Sequence, residues 1–317
     1  MTRSGRVIVL VLPEVNLLDL AGPVQVFDAA SQRGGFYRLE YVSAQPEVAS
    51  AQGLRLGGLG PLPEVAPGDL VLVPGPRLYP PGPDRPLVPD AAVEWLRDGA
   101  ARGARFASVC TGAAALGEAG LLDGRRCTTH WSLTELMRQR YPSARVQDSV
   151  LYVHDGPVST SAGFSTGIDL ALSIVESDHG PALTAEVART LVLYLRRDGS
   201  AHQVSPFLRH RAHLNSAVHR VQEHLAQHLD DRHTLADLAT VARLSPRGLT
   251  RAFTTTIGMT PLEYQQDLRL ALAVSLLTET DLTVEAVATR CGFRDPRQFR
   301  RLFTSRHGAP PSASRHR

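Results

Sequence analysis

The sequence predicts an α/β domain, a doubly wound, mostly parallel sheet, followed by an all-α domain with two helix-turn-helix motifs. Three observations carry this. Short apolar runs alternate with longer amphipathic stretches through the N-terminal two thirds, the pattern of strands covered by helices on both faces. A helix-length pattern repeats in the last third at an offset of 49 to 50 residues. The two parts also differ in charge: residues 1–200 carry 18 basic and 21 acidic side chains, whereas residues 201–317 carry 16 and 10.

Composition narrows the function classes. Apolar residues make up 43 % and charged residues 21 %, an ordinary globular balance. No apolar run approaches the length of a spanning helix, so no membrane partner is expected. The first apolar run, 7–12, is too short for a secretory core and meets Pro13 and Glu14, so the expected location is cytoplasmic. Cys110, Cys127 and Cys291 form neither a disulfide framework nor a zinc-ligand pattern, and no metal or cofactor is expected. The chain contains no lysine, a usage that a GC-rich genome also gives. The basic C-terminal third is what a nucleic-acid partner requires.

Strands are expected at 7–12, 37–42, 70–73, 105–109, 150–153 and 158–161. Helices are expected near 20–32, 88–101, 112–119, 131–140, 165–177 and 182–196. A ligand crevice then belongs at the carboxyl ends of the strands. One such end is chemically marked: Arg105-Phe106-Ala107-Ser108-Val109 runs into Cys110-Thr111-Gly112-Ala113, with small residues two before and two after the cysteine. That is the spacing of a strand-to-helix elbow, whose tight turn lifts a nucleophile out of the sheet. The positive end of the next helix would lower the thiol's pKa. A buried structural cysteine explains the same residues.

This region, about 5–197, resembles the class I glutamine amidotransferase-like superfamily, which includes the PfpI-like proteases and isonitrile hydratase. The resemblance rests on Leu18-Asp19-Leu20-Ala21-Gly22-Pro23, Val71-Leu72-Val73-Pro74-Gly75, Ser108-Val109-Cys110-Thr111-Gly112, Leu121-Leu122-Asp123-Gly124-Arg125-Arg126, Thr128-Thr129-His130-Trp131 and Ser161-Ala162-Gly163-Phe164-Ser165-Thr166-Gly167-Ile168-Asp169. It implies a pocket in which Asp19 is the acidic partner of Cys110, with Gly75, Thr111 and His130 around them. The family's loop after the third strand usually reads Pro-Gly-Gly, and the second glycine's N–H helps hold an oxyanion. Here the loop is Pro74-Gly75-Pro76, and proline has no N–H to donate. Losing such a donor costs about 2.7–4 kcal/mol of transition-state stabilisation. The balance moves towards binding and away from turnover. His130 reads either as a base for Cys110 or as a satisfied pocket histidine, Cys127 as packing, and Asp169 as a helix cap.

Residues 198–214 read as a linker between domains at 1–197 and 215–317, being rich in Gly, Ser, Pro and polar residues without periodicity. Beyond it, Thr234-Leu235-Ala236-Asp237-Leu238-Ala239 matches Thr283-Val284-Glu285-Ala286-Val287-Ala288. Pro246-Arg247-Gly248-Leu249-Thr250-Arg251-Ala252-Phe253 then matches Pro296-Arg297-Gln298-Phe299-Arg300-Arg301-Leu302-Phe303. Each copy reads as helix, turn, helix. Ser245-Pro246 and Asp295-Pro296 cap the second helices, and Cys291-Gly292-Phe293 supplies a turn. The core takes Leu249 and Phe253, or Phe299 and Phe303. The opposite faces carry Arg247, Thr250, Arg251 and Thr254 in the first copy, and Arg297, Arg300, Arg301 and Thr304 in the second. Arginine grips guanine edges and phosphate, and threonine meets thymine methyls, so both stripes are expected to contact double-stranded DNA. Gly248, a poor helix former, points to a weaker reader in the first copy. Between the copies, Thr260-Pro261-Leu262-Glu263 opens a long helix to about Leu277, with Tyr264, Leu268, Leu272 and Leu276 inward.

The last third, about 216–315, resembles the AraC-type DNA-binding domain, through Arg269-Leu270, Ala273, Leu276-Leu277, Cys291-Gly292-Phe293, Phe299-Arg300-Arg301-Leu302-Phe303 and Gly308-Ala309-Pro310-Pro311-Ser312-Ala313-Ser314-Arg315. The resemblance implies that the two units enter successive major grooves about 34 Å apart. Together the two resemblances imply a transcriptional regulator, not an enzyme, whose expected partners are DNA, a small-molecule effector and a second copy of the chain. Two rival readings use Cys110 differently: a hydratase or amidase fused to a DNA-binding tail, and a redox sensor.

Overall fold

The computed structural model describes residues 5–77, 88–148, 150–193, 197, 199, 210–280 and 282–316, without the side chains of residues 278, 279 and 314–316. Contacts divide the chain into two units, Met1–Gln203 and Val204–Arg317.

The first unit runs β1 (Gly5–Leu10), α1 (Leu17–Ala30), β2 (Tyr37–Val42), β3 (Glu47–Ala49), β4 (Arg55–Gly57), β5 (Leu70–Val73), α2 (Asp90–Ala101), β6 (Arg105–Val109), α3 (Ala113–Glu118), β7 (Arg126–Cys127), α4 (Thr134–Arg140), β8 (Arg145–Val146), β9 (Tyr152–Asp155), β10 (Val158–Ser161), α5 (Thr166–His179) and α6 (Pro181–Thr190). The main sheet has the order β2-β1-β5-β6-β10-β9. Its pairings are parallel except β10 with the edge strand β9, so the sheet is doubly wound and mostly parallel. Val7, Ile8, Val9 and Leu10 are buried on both sides of the sheet, as continuous β-branched runs require. One core cluster gathers Ile8, Leu10, Val71, Val73, Leu96 and Phe106, and the other Val7, Val9, Phe27, Leu72, Val109 and Leu170.

The chain passes from β1 outward to β2 and then returns to the other side of β1 as β5, going on to β6, so the direction of winding reverses between β1 and β5. Their carboxyl ends, with that of β6, frame the crevice where such sheets hold ligands.

Several elements depart from the sequence expectation: β1 begins and ends two residues earlier than the expected 7–12, and the two-residue strands β7 and β8 have no counterpart in it. The strand expected at 150–153 lies at Tyr152–Asp155, because the Leu151 N–H donates to the Gly199 carbonyl at 2.7 Å instead of joining the ladder. The β3–β4 hairpin has only three residues on each side, too few to show an alternation. Helix α6 ends at Thr190; residues 194–196 of the expected helix lie outside the described residues, as do residues 198 and 200–209 of the expected linker.

The second unit is helical: α7 (Ser216–Gln227), α8 (Leu235–Ala242), α9 (Pro246–Ile257), α10 (Pro261–Glu279), α11 (Val284–Arg290) and α12 (Pro296–His307), then a short 3-10 segment, Pro311–His316. Helix α7 is absent from the sequence expectation, although Val218, Val221 and Leu225 bury its inner face and Asn215 caps it. The pairs α8–α9 and α11–α12 are the two helix-turn-helix copies. Their cores are separate clusters, one holding Leu238, Ala239, Leu249 and Phe253, the other Val287, Ala288, Phe299 and Phe303. Leu272 of α10 packs against both, so the long helix joins the two lobes.

Candidate functional site

Two places carry chemistry, one in each unit. The first lies at the strand ends of the α/β unit. After β6 the chain turns so tightly that Cys110 takes a left-handed φ of +57°, the backbone of an elbow. The thiol is buried, with the residue 3 % exposed. Thr129 Oγ1 donates to the Cys110 carbonyl at 2.9 Å, and the Thr111 hydroxyl donates to the Pro76 carbonyl. Gly163 closes the other side: a Cβ there would lie 2.3 Å from Cys110 Cβ, and its φ is +105°, so only glycine fits.

Asp19, on the first turn of α1, is fully buried beside this elbow. Its Oδ1 accepts the Phe164 N–H at 2.5 Å. Burial raises its carboxyl to about 6, although the Phe164 N–H, the Cys110 thiol and the Asn16 side chain all favour the charged form. Gly75 packs so closely that a Cβ would lie 2.5 Å from Thr111 Oγ1 and 2.9 Å from Asp19 Oδ2. The Asn16 N–H donates to the Gly75 carbonyl at 2.9 Å, which ties the Pro74-Gly75-Pro76 loop to the start of α1.

His130 stands at the rim, where its ring lies 5.9 Å from that of Phe164 and 5.4 Å from that of Trp131. Its Nδ1 meets Ser132 Oγ at 2.7 Å, and partial burial lowers its pKa, so it is neutral at pH 7. Among the described residues it makes no hydrogen bond to Cys110. An enclosed cavity of about 10 Å³, room for one water, lies between Thr111, Ala114, Thr129, Met137 and Tyr141. Asp19, Gly75, Cys110 and Thr111 are thus packed together, with His130 linked to them through Phe164.

Two sequence expectations are corrected here. The start of the following helix does not leave the Cys110 thiol with a lowered pKa, although the Thr111 N–H acts in that direction. Burial first, and then the Asp19 charge, push the thiol well above its ordinary value. Helix α3 is only six residues long, so its terminal charge is outweighed. Asp169 does not cap α5. It sits four residues inside the buried face, where Oδ2 takes the Arg197 Nη2 at 2.6 Å and Nε at 3.0 Å, and Oδ1 takes the Arg197 backbone N–H at 3.2 Å. Cys127 is fully buried in the core, as packing requires. Phe164 and Arg197 are the site neighbours that sequence reasoning missed.

The second place is the pair of basic helices. Ser245 Oγ accepts the Gly248 N–H at 3.1 Å and Asp295 Oδ1 accepts the Arg297 N–H at 2.9 Å, so both helices start with a satisfied cap. Leu249 and Phe253 anchor α9 while Phe299 and Phe303 anchor α12, all fully buried. That anchoring turns Arg247, Arg251, Thr254, Arg297, Arg300, Arg301 and Thr304 outward, with Thr250 half-buried. The Thr250 and Thr254 hydroxyls bond back to the Pro246 and Thr250 carbonyls at 3.1 and 3.0 Å. Arg300 pairs with Glu285 of α11, while Arg247, Arg251, Arg297 and Arg301 make no ion pair among the described residues.

Comparison with known proteins agrees with both units. The DJ-1/PfpI family model matches residues 5–177 and a helix-turn-helix domain model matches residues 238–317. The chain is 32 % identical over 308 residues to the HTH-type transcriptional regulator CdhR of Pseudomonas aeruginosa, covering 96 % of this chain and 90 % of that one. Isonitrile hydratase of Pseudomonas putida is 35 % identical over 168 residues, covering only 53 % of this chain and 69 % of that one. The crystal structure of a ThiJ/PfpI family protein from Pseudomonas syringae aligns with a TM-score of 0.54 and 21 % identity, over 76 % of this chain and 91 % of that one, and shows the shared fold. The hydratase likeness covers about half of this chain, whereas the likeness to the regulator covers 96 % and so runs through both units. The chain belongs to the DJ-1/PfpI family and, along its full length, to the helix-turn-helix transcriptional regulators that carry this domain.

Proposed function

We propose that the chain is a DNA-binding transcriptional regulator that reads double-stranded DNA with α9 and α12 and senses a small molecule at the Asp19–Cys110 crevice. The observation that carries the DNA reading is the doubled, capped helix with a buried aromatic anchor and an outward arginine face. Arg247, Thr250, Arg251 and Thr254 meet one half-site, and Arg297, Arg300, Arg301 and Thr304 the other. Repeated units on one chain suit two successive major-groove segments.

For the crevice, binding is favoured over turnover by two groups. The Cys110 thiol is held protonated at neutral pH, so the nucleophilic form is scarce. Pro76 supplies no N–H where an oxyanion would need one. The strand-end position and the Asp19 carboxyl suit a small polar effector. We further propose that the chain acts as a homodimer in the cytoplasm; among the described residues no helix is long and apolar enough to cross a membrane.

The test is titration of the full chain against DNA from its own upstream region over a range of salt concentrations. Tight binding with a steep salt slope, lost in the Arg297→Ala, Arg300→Ala double variant, supports the reading. Weak binding that the double variant leaves unchanged overturns it.

A further inference from the structure

The segment 162–169 is held from two sides. On its inner side Gly163 lies against Cys110, and the Phe164 N–H is bonded to Asp19 at 2.5 Å. Phe164 takes a left-handed φ of +50°, an arrangement that persists only because its neighbours impose it. Thr166 Oγ1 accepts the Gly163 N–H at 2.8 Å, which makes the turn one piece with the start of α5.

On its outer side the same segment holds the residues at the beginning of the connector. Arg197 Nη2 donates to Ser165 Oγ at 2.9 Å, next to Phe164. Its guanidinium and backbone N–H are also bound by Asp169, which is 4 % exposed. Two residues later the Gly199 carbonyl accepts the Leu151 N–H at 2.7 Å and the Tyr152 N–H at 3.3 Å. Leu151 in turn accepts the Ala162 N–H at 2.8 Å, which returns the path to Gly163. Arg197 is therefore one hydrogen bond from Ser165, the chain neighbour of Phe164, and Gly199 is two hydrogen bonds, through Leu151, from Ala162, the chain neighbour of Gly163.

We propose that Arg197 and Gly199 are the output of the crevice: displacement of the Gly163–Phe164 turn loosens Ser165, Asp169 and Leu151 and releases the connector at Arg197. This rests on the reading of the crevice as a small-molecule site. An effector that takes over the Asp19 acceptor or presses on Gly163 binds the two states of the turn differently, which is the requirement for any ligand-driven switch. Arg197 is suited to two discrete states. Docked, it satisfies a nearly buried carboxylate; released, it regains water. The pair therefore resists small motions and yields to a displacement of the turn. Arg197 is a positioning residue, since it touches neither Cys110 nor Asp19.

The experiment is amide hydrogen exchange on the full chain, resolved at Arg197, Leu151 and Tyr152, in wild type, Asp19→Ala, Gly163→Ala and Asp169→Asn. Asp169→Asn releases Arg197 directly and sets the scale, with roughly tenfold faster exchange for loss of a charge-assisted hydrogen bond. The expected result is that Asp19→Ala, and Gly163→Ala where it folds, speed exchange at the same three amides, with α8 and α11 unchanged. Unchanged exchange at those amides in Asp19→Ala, while Asp169→Asn responds, overturns the proposal. DNA affinity of the same variants separates the two layers. Faster exchange with altered affinity supports relay and sensing together; faster exchange with unaltered affinity keeps the relay and sinks the sensory reading of the crevice.

Discussion

Asp19 accepts the backbone N–H of Phe164 at 2.5 Å, a bond that spans 145 positions and ties the start of α1 to the turn before α5. The carboxyl that makes it is fully buried, and burial raises its pKa from 3.8 to about 6. The folded chain therefore keeps a proton on Asp19 that the unfolded chain gives up as pH rises from about 4 to about 6. Stability is greater below that window, falls across it, and stays lower above it. The gap between the two values corresponds to about 3 kcal/mol. Asp19→Asn removes this component, so urea unfolding of the first unit should lose that part of its pH dependence between pH 4 and pH 7. Parallel wild-type and Asn profiles would show that Asp19 is not perturbed by folding.

The same carboxylate acts on its neighbour. Burial and the Asp19 charge both hold the Cys110 thiol in its protonated form, against the Thr111 N–H, which favours the thiolate. Iodoacetamide should then alkylate Cys110 far more slowly at pH 7 than an exposed cysteine, because the thiolate is the reacting species. Asp19→Asn removes the charge but leaves the burial, so the rate should rise several-fold without reaching that of a free thiol. Peptide mass spectrometry distinguishes Cys110 from Cys127 and Cys291. A wild-type rate equal to that of an exposed thiol would contradict the assignment.

How much of this was legible in the sequence follows from the range of the forces involved. The strands at 37–42, 70–73, 105–109 and 158–161 are local apolar runs, and the structure places them as read. The elbow at Cys110 was legible because a tight turn restricts side-chain size at neighbouring positions. Asp169 was misread because its partner, Arg197, lies 28 residues away, and no periodicity encodes that contact. The thiol's pKa was misread for a similar reason: the helix terminus is visible in the sequence, whereas burial against Gly163 and the charge of Asp19 are set by tertiary packing. In the second unit nearly everything was legible, since caps, turns and four-residue spacings are local and occur twice.

Those caps set a stability expectation. Asp295 Oδ1 holds the Arg297 N–H and Ser245 Oγ holds the Gly248 N–H. Asp295→Ala and Ser245→Ala should each cost about 1 kcal/mol in urea unfolding of the second unit. Asp295→Asn, which keeps an acceptor oxygen, should recover most of the loss. The DNA affinity should fall with Asp295→Ala, because the frayed residue is Arg297 itself. Loss of stability equal in the Asn and Ala variants would mean that the carboxylate acts through charge and not as a cap.

Glu285 and Arg300 form an ion pair between α11 and α12, and its counterpart in the first copy is missing: Ala236 stands for Glu285 and Thr250 for Arg300. Both partners are about half exposed, so the pair adds little to stability. Its effect should fall on DNA. With Glu285 present, Arg300 must leave one carboxylate to reach a phosphate or a base, and that carboxylate then faces the anionic duplex. Glu285→Gln should therefore tighten binding and steepen the log–log salt slope by up to about 0.9, the value for one additional phosphate neutralised. Arg300→Ala should weaken binding, and the double variant should resemble Arg300→Ala alone. Because the first copy lacks both residues, base changes in the half-site read by α9 should leave the Glu285→Gln effect intact, while changes in the half-site read by α12 should alter it. A Glu285→Gln variant with wild-type affinity and slope would place Arg300 outside the DNA interface and leave Arg297 and Arg301 as the contacts of the second copy.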